Sequence, residues 1–488
     1  MSKLLKGVGL LFAALAAVCL VRVALLPAPA TSGAAVPAIE LDEAGAVERM
    51  AGALRFPTVS QTDRTQIDPK PLDDLAAHFE RSFPQVHARL AREKVGQSLL
   101  FTWAGADPSA RPLLLLAHMD VVPVEPGTEA NWTHPPFGGV VADGQIWGRG
   151  ARDDKSSVLA LLEAAEWLLA RDFKPPRTVY LAFGHDEEIG GEQGAAKIAA
   201  LLKSRGVSAD LLDEGSGVLE RMIGGVERPV AAIMAAEKGY YTVRLTARAE
   251  GGHSSRPPTV TAVGRLARAV WRVQQNPMPT RLVAPVTDML DRIAPEVPFA
   301  QRLALANRWL FGRLIRSQMA GNQTQNTLVR TTTAPTVIHA GIKDNVLPSE
   351  AYALINFRLL PGDTREDVLA HLREVIGDDG IELKGGDGGF GNEASIPSPI
   401  DNSAFRLLER TAREIFPEAV VSTGLVTGAT DARNYEGVYA TRYNFAPQVL
   451  GPEDLPTIHG TNERIGVDNY LRMVRFYVQL LRNAAGEP

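Results

Sequence analysis

The sequence predicts a mixed α/β protein: a mainly parallel sheet layered with helices, a smaller α+β unit inserted into it, and a hydrophobic helix at the N-terminus. Three observations predict it. Short continuous apolar runs alternate with helical periodicities on both sides of the chain's first third, the pattern of strands buried on both faces and joined by crossover helices. Two mid-chain segments alternate apolar and polar residues as half-exposed strands do. The first thirty residues carry one long apolar run.

In that run, Lys3 and Lys6 precede Val8–Leu26, which only Arg22 interrupts, and a Pro/Ala-rich stretch follows through Pro37. A helix needs about 20 residues to cross the hydrocarbon core. The preceding lysines favour an anchor with its N-terminus inside and the body outside the cytoplasm. The alternative is a signal peptide cleaved near Ala28-Pro29-Ala30, giving a secreted or periplasmic body.

From Ile39 onward, Arg49 to Leu54 and Pro71 to Arg81 read as helical, and Leu113 to Ala117 as a buried strand. Ser156 to Arg171 is helical, Thr178 to Phe183 a second buried strand, and Ala195 to Leu202 a second crossover helix. Tyr240 to Ala249 and Ala351 to Leu359 are the alternating strands, with helical stretches at Val260 to Gln274 and Gln301 to Arg316 between them. Gly385 to Gly391 reads as a linker back to the first layer. The expected organisation is an anchor or signal segment with linker over 1–38, an α/β layer over 39–237 and 389–488, and an inserted unit over 238–388.

The 488 residues suit about three folding units. The 51 basic and 56 acidic residues leave a charge of −5 with no basic stretch, which argues against nucleic acid as a partner. Cys19 is the single cysteine, so no intramolecular disulfide framework or multi-cysteine metal site exists. Any metal or acid–base chemistry must rest on His, Asp and Glu.

Those residues gather where the expected strands end. His118 and Asp120 follow the first strand as H-M-D; Asp153 and Asp154 lie in G-R-G-A-R-D-D-K; Glu187 and Glu188 follow the second strand in G-H-D-E-E; Asp213 stands in D-E-G. Each segment alone is ordinary: a turn, a helix start, a loop. Together they crowd the carboxyl ends of strands, where open α/β sheets bind ligands. Crowded acidic groups beside apolar strands repel one another unless a cation neutralises them.

These motifs, with W-T-H-P-P-F-G-G, G-G-H-S-S-R-P-P, K-D-N-V-L-P-S-E and T-I-H-G-T-N-E, make the chain resemble the co-catalytic di-zinc peptidases that include aminoacylase, succinyl-diaminopimelate desuccinylase and glutamate carboxypeptidase. The resemblance runs from about Ile39 to Asn483 and is greatest to the Gly-X carboxypeptidase and N-acyl-amino-acid amidase branch. It implies a zinc-exopeptidase-like catalytic layer with an inserted lid or dimerisation unit. His118 and Asp213 would hold one zinc, Glu188 and His459 the other, and Asp153 would bridge them. Cobalt or manganese could substitute. Asp120 would orient His118, and Glu187 would be the general base for a water activated between the ions. His253 would stabilise the oxyanion, reaching a neighbouring site. Asn345 and Arg358 would bind the substrate carboxylate, Arg358 through its planar fork. The resemblance further implies a small peptide or N-acyl amino-acid substrate, and a homodimer formed through the inserted unit. Two serines, Ser156 and Ser157, stand where many members carry glycines, which puts the packing of that helix start in question. Side-chain selectivity would be set within Val283 to Gln325, whose pattern reveals no pocket shape.

Overall fold

A computed structural model describes residues 2–28, 38–386 and 391–485. Much of the expected linker at Gly385–Gly391, and most of the Pro/Ala-rich stretch before Ile39, lies outside the described residues.

Ten strands form the large sheet, mixed but with its centre parallel. Strand Leu113–His118 lies between Val179–Gly184 and Ala209–Asp213 and is parallel to both. All six of its residues are buried, because helices cover both faces. Leu113, Leu115 and Ala117 face a core that includes helices Lys155–Leu169 and Val467–Asn483. Leu114 and Leu116 face another built on helix Ala195–Ser204. The side-chain period of two thus divides one apolar run between two cores. Ser156 and Ser157 are buried in the first turn of helix Lys155–Leu169, so that helix forms without the glycines.

A second sheet is antiparallel. Strand Gly239–Arg248 lies between Glu350–Leu359 and Ile381–Gly385, with Thr332–Ala340 at the edge. Burial alternates along Glu350–Leu359, as expected when one face packs on helices Ala262–Gln275 and Arg365–Ile376.

The expected single helix over Gln301 to Arg316 is two, Phe299–Ala306 and Arg308–Gly321. Asn307 breaks it with φ −121° and ψ 43°. Its side-chain amide donates to Leu303 O and to Cys19 O, 288 residues away. Helix Ala284–Ile293, from the same region, lies against strand Val420–Val426 of the large sheet. The N-terminal helix Ser2–Ala24 is long and apolar enough to cross a membrane and is largely exposed.

Candidate active site

Parallel pairing sets the site. His118 ends its strand level with Gly184, and Asp213 ends the next strand over, so the three following turns converge at one sheet edge. His118 Nδ1 donates to Asp120 O at 3.0 Å. A carbonyl only accepts, so the Nδ1 proton is committed, and Nε2 of the neutral ring is a lone pair. That nitrogen faces Asp153 Oδ1 at 2.9 Å and Glu214 Oε1 at 3.4 Å. On the other side of the same aspartate, His459 Nε2 faces Asp153 Oδ2 at 3.0 Å and Glu188 Oε2 at 3.3 Å.

Two groups of ligand atoms result, His118–Asp153–Glu214 and Asp153–Glu188–His459, each within 4.8 Å. Asp153 belongs to both. Imidazole and carboxylate donors at this spacing suit Zn or a related divalent ion. Glu188 Oε1 is buried with no hydrogen-bond partner among the described residues, a lone pair that an ion would use.

Electrostatics point the same way. Burial, with Asp153 beside it, pushes Glu214 up to about 7. Hydrogen bonds to Asp153 and Glu188 raise His459 to about 10. Burial opposes charge on His118, yet its bonds to Asp120, Asp153 and Glu214 hold its pKa well above the ordinary value. Without a metal, protons supply the positive charge this cluster demands. The donor set fits divalent cations.

Asp213 is in neither group; its buried carboxylate accepts from Ala432 N and Glu214 N, both close hydrogen bonds. Asp213 is the last residue of its strand, and the following residue, Glu214, reaches His118 at 3.4 Å. Gly215, at φ +113°, turns the chain immediately afterwards, a conformation that favours glycine.

Asp120 does more than orient His118. Its carboxylate, 3.4 Å from His118 Nδ1, accepts from Ser60 Oγ at 2.6 Å and from the backbone N–H groups of Glu187 and Glu188 at 3.1 and 3.2 Å. One carboxylate therefore registers His118, Glu187 and Glu188 against one another. Glu187 is buried, and desolvation pushes its carboxyl well above the ordinary range. Arg433 approaches it at 3.7 Å.

Arg358 reaches this neighbourhood from the second sheet. Its guanidinium lies 4.6 Å over the Tyr240 ring, the residue paired with it across the strands. Burial lowers its pKa, the Tyr240 hydroxyl opposes that, and Arg433 adds to it. His253 and Asn345 come together elsewhere, on an exposed two-stranded arm where Ser254 N donates to Asn345 O. Among the described residues neither has a hydrogen bond or ion pair to the metal-site groups.

Sequence reasoning missed Glu214, Arg433 and Glu463. Glu463 is buried; Arg149 donates to it at 2.6 Å, and the N–H groups of Arg152 and Asp153 donate to its other oxygen. Arg149 also donates to His459 O and Gly460 O. This pair binds the Asp153 turn to the His459 turn, and its signal was only the E in G-T-N-E-R. Glu463→Ala should cost about 3–5 kcal/mol, because it leaves Arg149 buried and uncompensated. It should also weaken metal binding about 10–100-fold. Urea denaturation and a metal titration check the two effects.

The model of peptidase family M20/M25/M40 matches residues 114–483. The N-fatty-acyl-amino acid synthase/hydrolase PM20D1 of Mus musculus is 41% identical over 446 residues, covering 90% of this chain and 87% of that protein. Carboxypeptidase S of Saccharomyces cerevisiae is 31% identical over 500 residues, with 90% and 84% covered. Among solved structures, the metallo-carboxypeptidase Sso-CP2 of Sulfolobus solfataricus matches with a TM-score of 0.66 at 19% identity, over 90% of this chain and 99% of that one. The last likeness shows the fold. The family match spans the strand that bears His118, the shared Asp153 and the turn of His459, and with the relatives it places this hydrolase in the peptidase family M20/M25/M40.

Proposed function

We propose that the chain hydrolyses an amide or peptide bond next to a free carboxylate, as a metallo-carboxypeptidase or N-acyl-amino-acid amidohydrolase. The observation that carries this reading is Asp153, shared between two histidine–carboxylate groups with Glu187 held beside them. His118, Asp153, Glu188, Glu214 and His459 would hold two divalent ions, zinc by the chemistry of the donors. When bound, such ions supply Lewis acidity toward a water and the scissile carbonyl. Glu187 then takes the water's proton and returns it to the leaving nitrogen. Its raised pKa suits a group that must carry a proton between two steps. Arg358, stacked on Tyr240, holds the substrate carboxylate and so sets which bond lies at the metals.

His253 and Asn345 would serve a second copy, the exposed arm completing its partner's site in a homodimer. Mixing His253→Ala with Glu187→Gln chains tests this. Each alone should be nearly inactive, and the mixture should recover about a quarter of wild-type activity, one intact site in half of the dimers. No recovery in a dimer proven mixed would place His253 in its own chain's site or outside catalysis.

A cavity favours a long acyl group. It measures about 590 Å³ and is lined by Met222, Met234, Met289, Met319, Leu290 and Leu425, among others, within the usual range for ligand sites. Methionine adapts to flexible apolar chains. Most of the cavity wall comes from the segment where selectivity was expected. Assays of N-acyl amino acids of increasing chain length beside dipeptides should show kcat/KM rising with acyl length. A preference for dipeptides would return the reading to a plain carboxypeptidase.

The N-terminal helix would anchor the chain with its body outside the cytoplasm.

A further inference from the structure

The N-terminal helix is hydrogen-bonded to the body at Ala306 and Asn307. Arg22 Nε donates to Ala306 O at 2.9 Å, and Asn307 donates to Cys19 O at 3.1 Å. Helix Arg308–Gly321 begins at the next residue, with the sequence R-W-L-F-G-R-L-I-R-S-Q-M-A-G. One face of it is buried: Ile315 and Met319 pack into the cluster beneath. The opposite face carries Trp309, Leu310 and Leu314, exposed by 57%, 41% and 52%. Phe299, on the preceding helix, is exposed as well. Arg308, Arg313 and Arg316 line a groove of about 370 Å³ beside Trp309 and Leu310. Arg308 pairs with Asp291; Arg313 and Arg316 have no ion-pair partner among the described residues.

We propose that this outer face of helix Arg308–Gly321 docks on an anionic lipid bilayer beside the point where helix Ser2–Ala24 leaves it. The inference rests on the anchored reading of the N-terminal helix. A tryptophan and leucines flanked by arginines are what an interfacial helix presents, rings and alkyl groups at the acyl boundary and guanidinium groups at the phosphates. Scattered exposed apolar residues need no explanation, but these adjoin a helix able to cross a membrane. Depth agrees too. Cys19 lies five residues before the helix end, about 7.5 Å along its axis. With the end of the helix at the surface, Asn307 and Trp309 sit at that depth, matching the roughly 5–10 Å to which interfacial helices embed. The inner face of the same helix supplies Ile315, Gln318 and Met319 to the large cavity. An amphiphile held in the outer part of the bilayer would therefore be separated from the acyl site by the thickness of one helix.

The test uses the full chain in phosphatidylcholine vesicles with and without phosphatidylglycerol. In a Cys19→Ser background, an environment-sensitive fluorophore is placed at Leu314→Cys and, as control, at Ser109→Cys, an exposed loop position of the large layer. With phosphatidylglycerol, the Leu314 label should shift to the blue and lose quenching by aqueous iodide, while the Ser109 label does neither. Arg313→Glu with Arg316→Glu should restore quenching at Leu314 while the chain stays in the carbonate-washed pellet. A Leu314 label as accessible as the Ser109 label, in chains that do pellet, overturns the proposal. So does equal protection in lipid-free amphipol, which would mean that a second copy covers the face. Chains that never pellet overturn the anchored reading itself, and with it this inference.

Discussion

Glu187→Gln should leave the metal site loaded and lower kcat by about 10²–10⁴-fold. The substitution keeps the shape of the side chain and the backbone N–H that donates to Asp120, so the turn carrying Glu188 stays in register. It removes only the group able to take and return a proton. Burial already holds the Glu187 carboxyl well above its usual range. Metal content and turnover measured on the same preparation separate the two effects. A fall in rate accompanied by loss of metal would make Glu187 a structural support for its neighbour and not the base.

Arg358→Ala should lower kcat/KM for a substrate with a free carboxylate and leave metal content unchanged. Losing a charged hydrogen bond costs about 1.5–3 kcal/mol, roughly tenfold to more than a hundredfold in rate. The guanidinium is poised for such a contact: stacked on Tyr240 and near Arg433, it lies in a region of positive charge that a carboxylate would neutralise. Amidating the substrate carboxylate should reproduce the loss in the wild-type enzyme. The variant should then treat acid and amide alike. Equal cleavage of both by the wild type would exclude a carboxylate-anchored exopeptidase.

Local pattern made the first layer legible. Leu113 to Ala117 announces a strand covered on both faces, and acidic or imidazole groups at successive strand ends announce a ligand site. That Glu214 and not Asp213 faces His118 was not legible, because it depends on where the strand ends and on Ala432 N, 219 residues away, donating to the aspartate. A glycine after the glutamate was the one local hint, since it permits the turn that frees Glu214. Non-local partners also explain the broken helix at Asn307, whose side chain bonds to the N-terminal helix. Arg433 sits in the short 3-10 turn Asp431–Tyr435 and Glu463 in a loop, and only tertiary folding brings them to Glu187 and Asp153. The cavity has the same origin: its walls come from four helices, three strands and the loop at Met222–Gly225, with no signature in any one segment.

Two ions would share Asp153, and hydrolysis would depend on them. Chelating the protein and back-titrating zinc or cobalt, with bound metal and turnover followed on the same sample, tests this most directly. Turnover should vanish without metal and return as ions bind, reaching its plateau at two per chain, as two-metal hydrolytic sites require. Full turnover in a metal-free preparation would rule out metal-dependent hydrolysis at Asp153.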